Sequence, residues 1–339
     1  MSQPIVIWGA GAIGGTLGAA FMRAGEEVIF VDTAKDHVDA INADGLRIAG
    51  PIFESTFKAK ACLPGELDGQ YERIYLCVKA HHTEAATQAL VKHLTSDGYV
   101  VSAQNGLNEQ VIARIVGEHR TIGCFVNFGA DYLEPGLVHY SGHGAVVIGE
   151  LDGRFSDRAE EIYGLLKQFE PKALITNNIW GFLWGKMIYG ALLFGTALTN
   201  DSIADVLDNP AARPVLRKLA LEVATVAAIN NITPEAFDGF DPAAFGPLAQ
   251  QQQTDRSFDD MVAHNRRSTK SHSGIWRDLA VRKRKTEVDA QVLPIVSIGH
   301  ESKVPTPMVA RLVEMIHEIE DGKRPLDLAN LVELGKAGA

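Results

Sequence analysis

The chain has 339 residues, of which 46% are hydrophobic and 22% charged, a balance typical of globular proteins and too apolar for an intrinsically disordered one. Its 32 lysine and arginine residues are outnumbered by 42 acidic residues, which gives a formal charge of −10. A general affinity for nucleic acid or anionic membranes is therefore not expected. The length favours two domains.

The three cysteines, Cys62, Cys77 and Cys124, are odd in number, widely spaced and form no CxxC pair. We therefore expect neither a disulfide framework nor a zinc cluster, and a reducing cytoplasm suits the chain best. His81 and His82 have no third ligand at metal-binding spacing, so no metal site is predicted. The first residues run directly into an apolar strand, unlike a secretion signal.

The first half of the chain alternates between two hydrophobic periods. Strands are predicted at residues 5–8, 27–31, 74–78, 99–102 and 121–125, and helices at 16–24, 83–94 and 109–116. Strands separated by helical crossovers indicate a parallel sheet covered on both faces. The expected fold class is α/β, with a doubly wound sheet of the Rossmann type.

Beyond these elements, residues 136–150 resemble a hairpin, residues 154–169 an amphipathic helix and residues 173–176 a short strand. After Asn177 the apolar positions follow helical spacing almost throughout. We therefore predict a dinucleotide-binding domain over 1–178 and an all-helical domain over 179–339.

The segment from 179 to 199 is about as long as a membrane span, but it contains Lys186 and has no basic flanks, so we interpret it as a buried helix. Its four glycines, at 181, 185, 190 and 195, each cost about 1 kcal/mol relative to alanine within a helix. Close packing is the expected compensation, since small residues let another backbone or a flat ligand approach.

Gly9, Gly11 and Gly14 form a GxGxxG motif between the first strand and the first helix, with Ala12 and Ile13 inside it. The first glycine permits a tight turn, the second lets the backbone approach a pyrophosphate, and the third lets helix and strand pack closely. A glycine-rich turn without a ligand is the alternative. We predict that all five residues contact a dinucleotide.

Asp32 ends the second strand, where a carboxylate can accept hydrogen bonds from the adenosine ribose and repels a 2′-phosphate. NAD is therefore favoured over NADP as the cofactor. Lys35 lies just beyond Asp32, and Lys79 ends another strand at the sheet edge, so NADP stays open. Lys79 is a further predicted cofactor contact, with a solvated loop lysine as the alternative.

Six segments together resemble one enzyme family. They are IVIWGAGAIGG at 5–15, CVKAHHTEAA at 77–86, QNGLNE at 104–109, FLWGKMIYGALLFGTALT at 182–199, KTEVDA at 285–290 and VPTP at 304–307. In order and spacing the chain resembles the ketopantoate reductase family over most of its length. The resemblance implies a Rossmann domain joined to a helical domain, and reduction of 2-dehydropantoate to pantoate by a nicotinamide cofactor, a step of pantothenate biosynthesis.

The resemblance also implies roles for single residues. Lys186 matches the catalytic lysine, which protonates the substrate carbonyl as hydride arrives in the interdomain cleft. An ammonium beside a forming alkoxide stabilises charge that grows in the transition state. Asn105 matches an asparagine near nicotinamide and substrate, and Glu287 matches a carboxylate that holds the substrate hydroxyl. From the residues alone, a snorkelling lysine, an Asn-Gly turn and an exposed helix-terminal acid are the alternatives.

The chain departs from the family at several pocket positions. Gly190 and Phe194 stand where the family usually has asparagines, and Ser273 aligns only approximately with the family's substrate-binding serine. His272 is a further candidate for substrate binding, and Trp276 lies nearby. A pocket that loses amides and gains aromatic groups is expected to take a bulkier or more apolar substrate.

These observations predict an NAD(P)-dependent oxidoreductase that acts on ketopantoate or a related 2-oxo or 2-hydroxy acid, without nucleic-acid or membrane partners. A homodimer is compatible with a helical second domain. Two alternatives are kept: an NAD-preferring catabolic dehydrogenase of a different hydroxy acid, and a nucleotide-sensing protein that has lost catalysis.

Overall fold

Short apolar strands alternate with helices as far as Ile179, and the described residues beyond it form helices joined by loops. The computed structural model describes residues 3–267 and 271–338, which form two compact units, one that ends at Ile179 and another that begins at Trp180. The strands of the first unit are β1 (Ile5–Trp8), β2 (Val28–Val31), β3 (Leu46–Ala49), β4 (Ser55–Phe57), β5 (Lys60–Cys62), β6 (Tyr71–Leu76), β7 (Leu94–Ser102), β8 (Thr121–Val126), β9 (Gly129–Glu134), β10 (Leu137–Gly142), β11 (Val146–Glu150) and β12 (Leu174–Ile175). Its α-helices are α1 (Ala12–Arg23), α2 (Lys35–Asp44), α3 (Thr83–Leu90), α4 (Glu109–Val116) and α5 (Asp157–Phe169).

The main sheet has the strand order β12-β11-β8-β7-β6-β1-β2-β5. The strands from β8 to β5 are parallel to their neighbours, while β11 is antiparallel to β8. Strand β1 is buried on both faces: Ile5 and Ile7 belong to one hydrophobic cluster, and Val6 and Trp8 to another. This two-fold alternation shows that helices cover both sides of the sheet. The predicted α/β class is confirmed.

A second sheet has the order β4-β3-β10-β9. The predicted hairpin over 136–150 is wrong, because β10 pairs with β9 in this sheet whereas β11 joins the main sheet beside β8. The actual hairpin turns at Pro135 and Gly136, where Gly136 has a φ of +75°. A proline followed by a glycine with positive φ is typical of a type II turn. The two strands expected to pair thus lie in different sheets.

The second unit consists of the helices α6 (Ile179–Thr196), α7 (Ile203–Asp208), α8 (Arg213–Ile229), α9 (Gln251–Arg267), α10 (Gly274–Trp276), α11 (Val288–Gln291), α12 (Leu293–Glu301), α13 (Pro307–Glu320) and α14 (Ala329–Ala337), with a π-helical segment at Arg277–Arg282. The described residues of this unit form no strand, only a single bridge between Phe237 and Phe240. None of the described helices is long and apolar enough to cross a membrane.

Two arginines and two glutamates join the last two helices. Arg311 and Arg324 both contact the carboxylate of Glu333, at 2.6 and 2.9 Å, and Arg324 also pairs with Glu318 at 2.5 Å. The hydrogen bonds from Arg324 and Arg311 lower the pKa of Glu333 from 4.5 to about 2. Because the pKa is lower in the folded protein, this carboxylate stabilises the fold above pH 4.5, and its contribution is lost as the pH falls towards 2.

We expect Glu333→Gln to lower the thermal midpoint by about 2 °C at pH 7, since solvent screens this exposed network. The difference from the unmodified protein should shrink between pH 5 and pH 3, where the wild-type carboxylate loses its advantage. Thermal unfolding followed by circular dichroism at each pH measures it. Glu301→Gln, on the exposed end of α12, is the control. A difference in thermal midpoint that does not change with pH would contradict the lowered pKa of Glu333.

Candidate functional site

The loop between β1 and α1 is built around three glycines with different surroundings. A Cβ on Gly9 would lie 2.8 Å from the backbone nitrogen of Val78, and a Cβ on Gly14 would lie 1.9 Å from the carbonyl oxygen of Gly9. A Cβ on Gly11, in contrast, would meet no atom of the described residues within 4 Å. Gly9 and Gly14 are therefore required for packing, and Gly11 borders open space.

Helix α1 begins at Ala12, with Ile13 as its second residue. Among the described residues no side chain caps this N-terminus, and its first turn contains no acidic residue. The first amide groups of a helix need acceptors, and together with the helix dipole they favour an anion. Beside the open space at Gly11, this arrangement fits a pyrophosphate.

Asp32 directly follows β2 at the same edge of the sheet. Its Oδ2 accepts a hydrogen bond from the amide of Ala10 at 2.8 Å, and its Oδ1 accepts one from the amide of Ala34 at 2.9 Å. Each oxygen of a carboxylate has a second lone pair for a ribose hydroxyl. Lys35, the cation nearest in sequence, pairs with Asp39 one helical turn later at 2.7 Å. The carboxylate of Asp32 thus orders the glycine loop and also fits a ribose.

The loops after β6 and β7 meet at this edge, because the two strands are parallel neighbours. Gln104 Nε2 donates to the carbonyl oxygen of Val78 at 2.9 Å and to Thr83 Oγ1 at 2.8 Å. Asn108 Nδ2 donates to the carbonyl oxygen of Asn105 at 2.7 Å. This buried network holds the QNG loop while the side chain of Asn105 is exposed.

Two other residues at this edge differ in exposure. Lys79 is exposed at the end of the loop that follows β6. Glu109, in the first turn of α4, is fully buried, and this burial raises its pKa to about 7 against the opposing effects of its own amide and Ser102. Sequence reasoning did not single out Glu109; the signal was its place at the end of the QNGLNE run.

In the second unit, helix α6 has one open face. From Gly181 to Thr196 every residue is buried except Lys186, Tyr189, Gly190 and Leu193. These positions are spaced i, i+3, i+4 and i+7, which places them on one side of a helix. Lys186 therefore lies on a narrow surface whose other members are apolar, aromatic or without a side chain.

The glycines of α6 confirm close packing. The carbonyl oxygen of Gly181 accepts a hydrogen bond from the amide of Glu235 at 2.9 Å, and a Cβ on Gly185 would lie 2.4 Å from the carbonyl oxygen of Glu235. A Cβ on Gly195 would lie 2.7 Å from Leu216. A Cβ on Gly190, however, would meet no described atom within 4 Å. Gly185 and Gly195 thus accommodate close neighbours, whereas Gly190 leaves space beside Lys186.

Ser273 and His272 both have local structural contacts. Ser273 Oγ accepts a hydrogen bond from the amide of Trp276 at 3.1 Å and caps the short helix α10. The ring of His272 stacks on Trp276 with centroids 3.9 Å apart, and its Nε2 lies 3.1 Å from the carbonyl oxygen of Asn200. These contacts hold the segment before the π-helix in place.

Glu287 is half-buried and immediately precedes α11. Its neighbours are directed towards α13: Thr286 Oγ1 donates to Glu320 at 2.7 Å, and Asp289 pairs with His317 at 2.9 Å. Thr286 also accepts a hydrogen bond from the amide of Val288. Asp289, the second acid in TEVD, thus has a structural partner on another helix.

Comparison with known proteins identifies the family. The family model "Ketopantoate reductase PanE/ApbA" matches residues 5–153, and its C-terminal counterpart matches residues 178–320. The chain belongs to the ketopantoate reductase family. The resemblance predicted from the sequence motifs is confirmed, and the family is one of NAD(P)-dependent oxidoreductases that act on CH–OH groups.

Individual relatives agree with this assignment. The 2-dehydropantoate 2-reductase of Archaeoglobus fulgidus is 29% identical over 322 residues, which cover 94% of this chain and 99% of that protein. A D-mandelate dehydrogenase solved with NADH and anilino(oxo)acetate has a TM-score of 0.79 at 23% identity, covering 95% of this chain and 99% of that one. The 2-dehydropantoate 2-reductase of Geobacter metallireducens also has a TM-score of 0.79, at 24% identity, over 93% of this chain and 99% of that one. The structural likenesses show the shared fold.

Phe194 does not take part in the open face of α6. We expected it to enter the substrate pocket in place of a family asparagine, but only 1% of its surface is exposed. Position 194 is eight residues after Lys186, and the helix has by then turned it towards the core. Of the two departures expected in α6, Gly190 is thus the one at a partly exposed position.

We expect Gly11→Ala to raise the dissociation constant for NADH at least tenfold, because the new methyl group projects into the space assigned to the pyrophosphate. The φ of Gly11 is −67°, within the range that residues with a side chain adopt, and a Cβ there would meet no described atom within 4 Å. Thermal stability should therefore be unchanged. Fluorescence titration with NADH measures the affinity.

Gly164→Ala, at an open position within α5, is the matched control and should bind NADH normally. Equal affinity of Gly11→Ala and the unmodified enzyme would show that the loop does not approach the cofactor.

Proposed function

We propose that the protein is a cytoplasmic NAD(P)-dependent oxidoreductase that interconverts a 2-oxo acid and the corresponding 2-hydroxy acid. The observation that carries this proposal is the open face of α6, where Lys186 lies next to the space at Gly190 in a chain whose glycine loop fits a dinucleotide. Membership in the ketopantoate reductase family supports the reaction type.

Lys186 is proposed as the general acid in the direction of reduction. A bound nicotinamide cofactor would supply the hydride for the carbonyl carbon. The ammonium group of Lys186 would give a proton to the carbonyl oxygen, so that the oxo acid would become a hydroxy acid. The neutral amine then takes a proton from water. Before the transfer, the positive charge of Lys186 stabilises the negative charge that develops on the oxygen.

The other predicted site residues are proposed to bind and orient. The network beneath Asn105 holds its backbone carbonyl, and its exposed side-chain amide would orient substrate and nicotinamide. Glu287 would accept a hydrogen bond from a substrate hydroxyl, and Ser273 and His272 would be further substrate contacts. Lys79 would contact the cofactor.

We also propose a preference for NAD over NADP. The carboxylate of Asp32 suits a ribose diol and repels a 2′-phosphate. Lys35, which could have favoured that phosphate, is paired with Asp39 on the surface. Kinetic assays with both cofactors, in both directions, test this preference and distinguish a reductase from a catabolic dehydrogenase.

We propose that the substrate carries a large apolar group rather than a compact polar one. The space at Gly190 is bordered on the same helix face by Tyr189 and Leu193, and the phenol of Tyr189 packs 5.1 Å from the ring of Phe240. Such a surface favours hydrocarbon over hydroxyl groups. Ketopantoate belongs in the test panel beside branched and aromatic 2-oxo acids.

We expect Lys186→Met to lower kcat by about 10²-fold to 10⁴-fold, the usual contribution of a general acid. The dissociation constant for NADH should stay within about twofold, because the proposed cofactor contacts lie elsewhere. Steady-state kinetics and fluorescence titration measure the two quantities. Lys92→Met, an exposed lysine of the first unit, should be unaffected. Unchanged turnover by Lys186→Met would refute the proposed mechanism.

We expect Gly190→Asn to lower kcat/KM for branched or aromatic 2-oxo acids at least tenfold and to change it little for pyruvate, because the amide fills the space beside Lys186 and offers polar contacts. Gly164→Asn makes the same change in the interior of α5 and should leave the specificity unaltered. A uniform decrease for all acids, or none, would contradict the assignment of Gly190 to the substrate pocket.

A further inference from the structure

His37 connects two distant segments of the first unit. It is the third residue of α2, and only 1% of its surface is exposed. Its Nε2 lies 2.8 Å from the carbonyl oxygen of Ala10 in the glycine loop, and its Nδ1 accepts a hydrogen bond from the amide of Gly136 at 2.9 Å. Gly136 is in the turn between β9 and β10.

These two contacts determine the tautomer of the ring. A backbone N–H only donates, so Nδ1 of His37 must be unprotonated where it faces Gly136. A carbonyl oxygen only accepts, so Nε2 must carry the hydrogen that it donates to Ala10. The neutral Nε2–H form therefore satisfies both contacts at once, and no other form does.

The peptide groups around Ala10 are held from both sides. The amide of Ala10 donates to Asp32 Oδ2 at 2.8 Å, and its carbonyl oxygen accepts from His37. All peptide bonds of the described residues are trans, and a trans peptide directs its C=O and the following N–H in opposite directions. Since the carbonyl of Ala10 points to His37, the N–H of Gly11 points away from His37.

We propose that His37 is a positioning residue that directs the N–H of Gly11 towards the cofactor pyrophosphate. It does so by holding the carbonyl of Ala10, while the hairpin turn at Gly136 holds the ring. Backbone N–H groups aimed at one point are what phosphate oxygens bind in glycine loops. This inference rests on the proposed use of a dinucleotide cofactor.

Two substitutions separate the hydrogen bonds from the volume of the ring. His37→Gln keeps a donor and an acceptor at the end of the side chain, whereas His37→Phe fills the space and offers neither. We expect His37→Phe to raise the dissociation constant and the KM for NADH at least tenfold and to leave kcat at saturating NADH within about twofold. His37→Gln should restore affinity to within about threefold. His119→Phe, at an exposed histidine, is the control.

Hydrogen exchange of the segment 9–14 in the cofactor-free enzyme provides a readout independent of activity. Exchange should be faster in His37→Phe than in the unmodified protein and slow again in His37→Gln. Unchanged NADH affinity in a folded His37→Phe, or no rescue by a folded His37→Gln, would overturn the proposal.

The unmodified protein gives a test that does not depend on the folding of a variant. Long-range ¹H–¹⁵N spectra of the histidine rings should show His37 as the Nε2–H tautomer, and an Nδ1–H form would overturn the proposal. If the unmodified enzyme bound neither NADH nor NADPH, the proposed function would fail, while the tautomer and exchange measurements would still judge the role of His37.

Discussion

Helix α1 can approach strands β1 and β6 only because two residues lack side chains. A Cβ on Gly14 would lie 1.9 Å from the carbonyl oxygen of Gly9, and a Cβ on Gly9 would meet the backbone of Val78. This contact places the start of α1 at the edge where the parallel strands end, beside Asp32. Of the three glycines of the motif, only Gly11 borders open space. The close packing at Gly9 and Gly14 thus leaves room for a ligand at Gly11.

The second unit uses glycine in the same two ways. Gly185 admits the backbone of Glu235 against α6, and Gly190 leaves space on the face that carries Lys186. The other residues on the open face of α6 are largely apolar, so the ammonium group of Lys186 is partly desolvated. Its positive charge therefore acts more strongly on a ligand in the space at Gly190. In the proposed function, both the reaction type and the substrate preference depend on these few residues of α6.

The glycine spacing, Asp32 and the change of periodicity near residue 178 were sufficient to predict the Rossmann-type sheet and the helical region. Strands β3, β4 and β5 have only three or four residues each, too few for a reliable alternation. The hairpin was misplaced because the Pro135-Gly136 turn signal was not used. The contact of His37 with Gly136 spans 99 residues, and no local pattern encodes such a pairing.

The proposed function requires that a dinucleotide bind against the glycine loop with its reactive ring near Lys186. A crystal structure with NADH and oxamate, an unreactive mimic of a 2-oxo acid, tests it most directly. We expect a pyrophosphate oxygen about 3 Å from the backbone nitrogen of Gly11 and an oxamate oxygen about 3 Å from Lys186 Nζ. NADH bound elsewhere, or an ordered oxamate more than about 6 Å from Lys186, beyond the reach of any hydrogen bond, would contradict it.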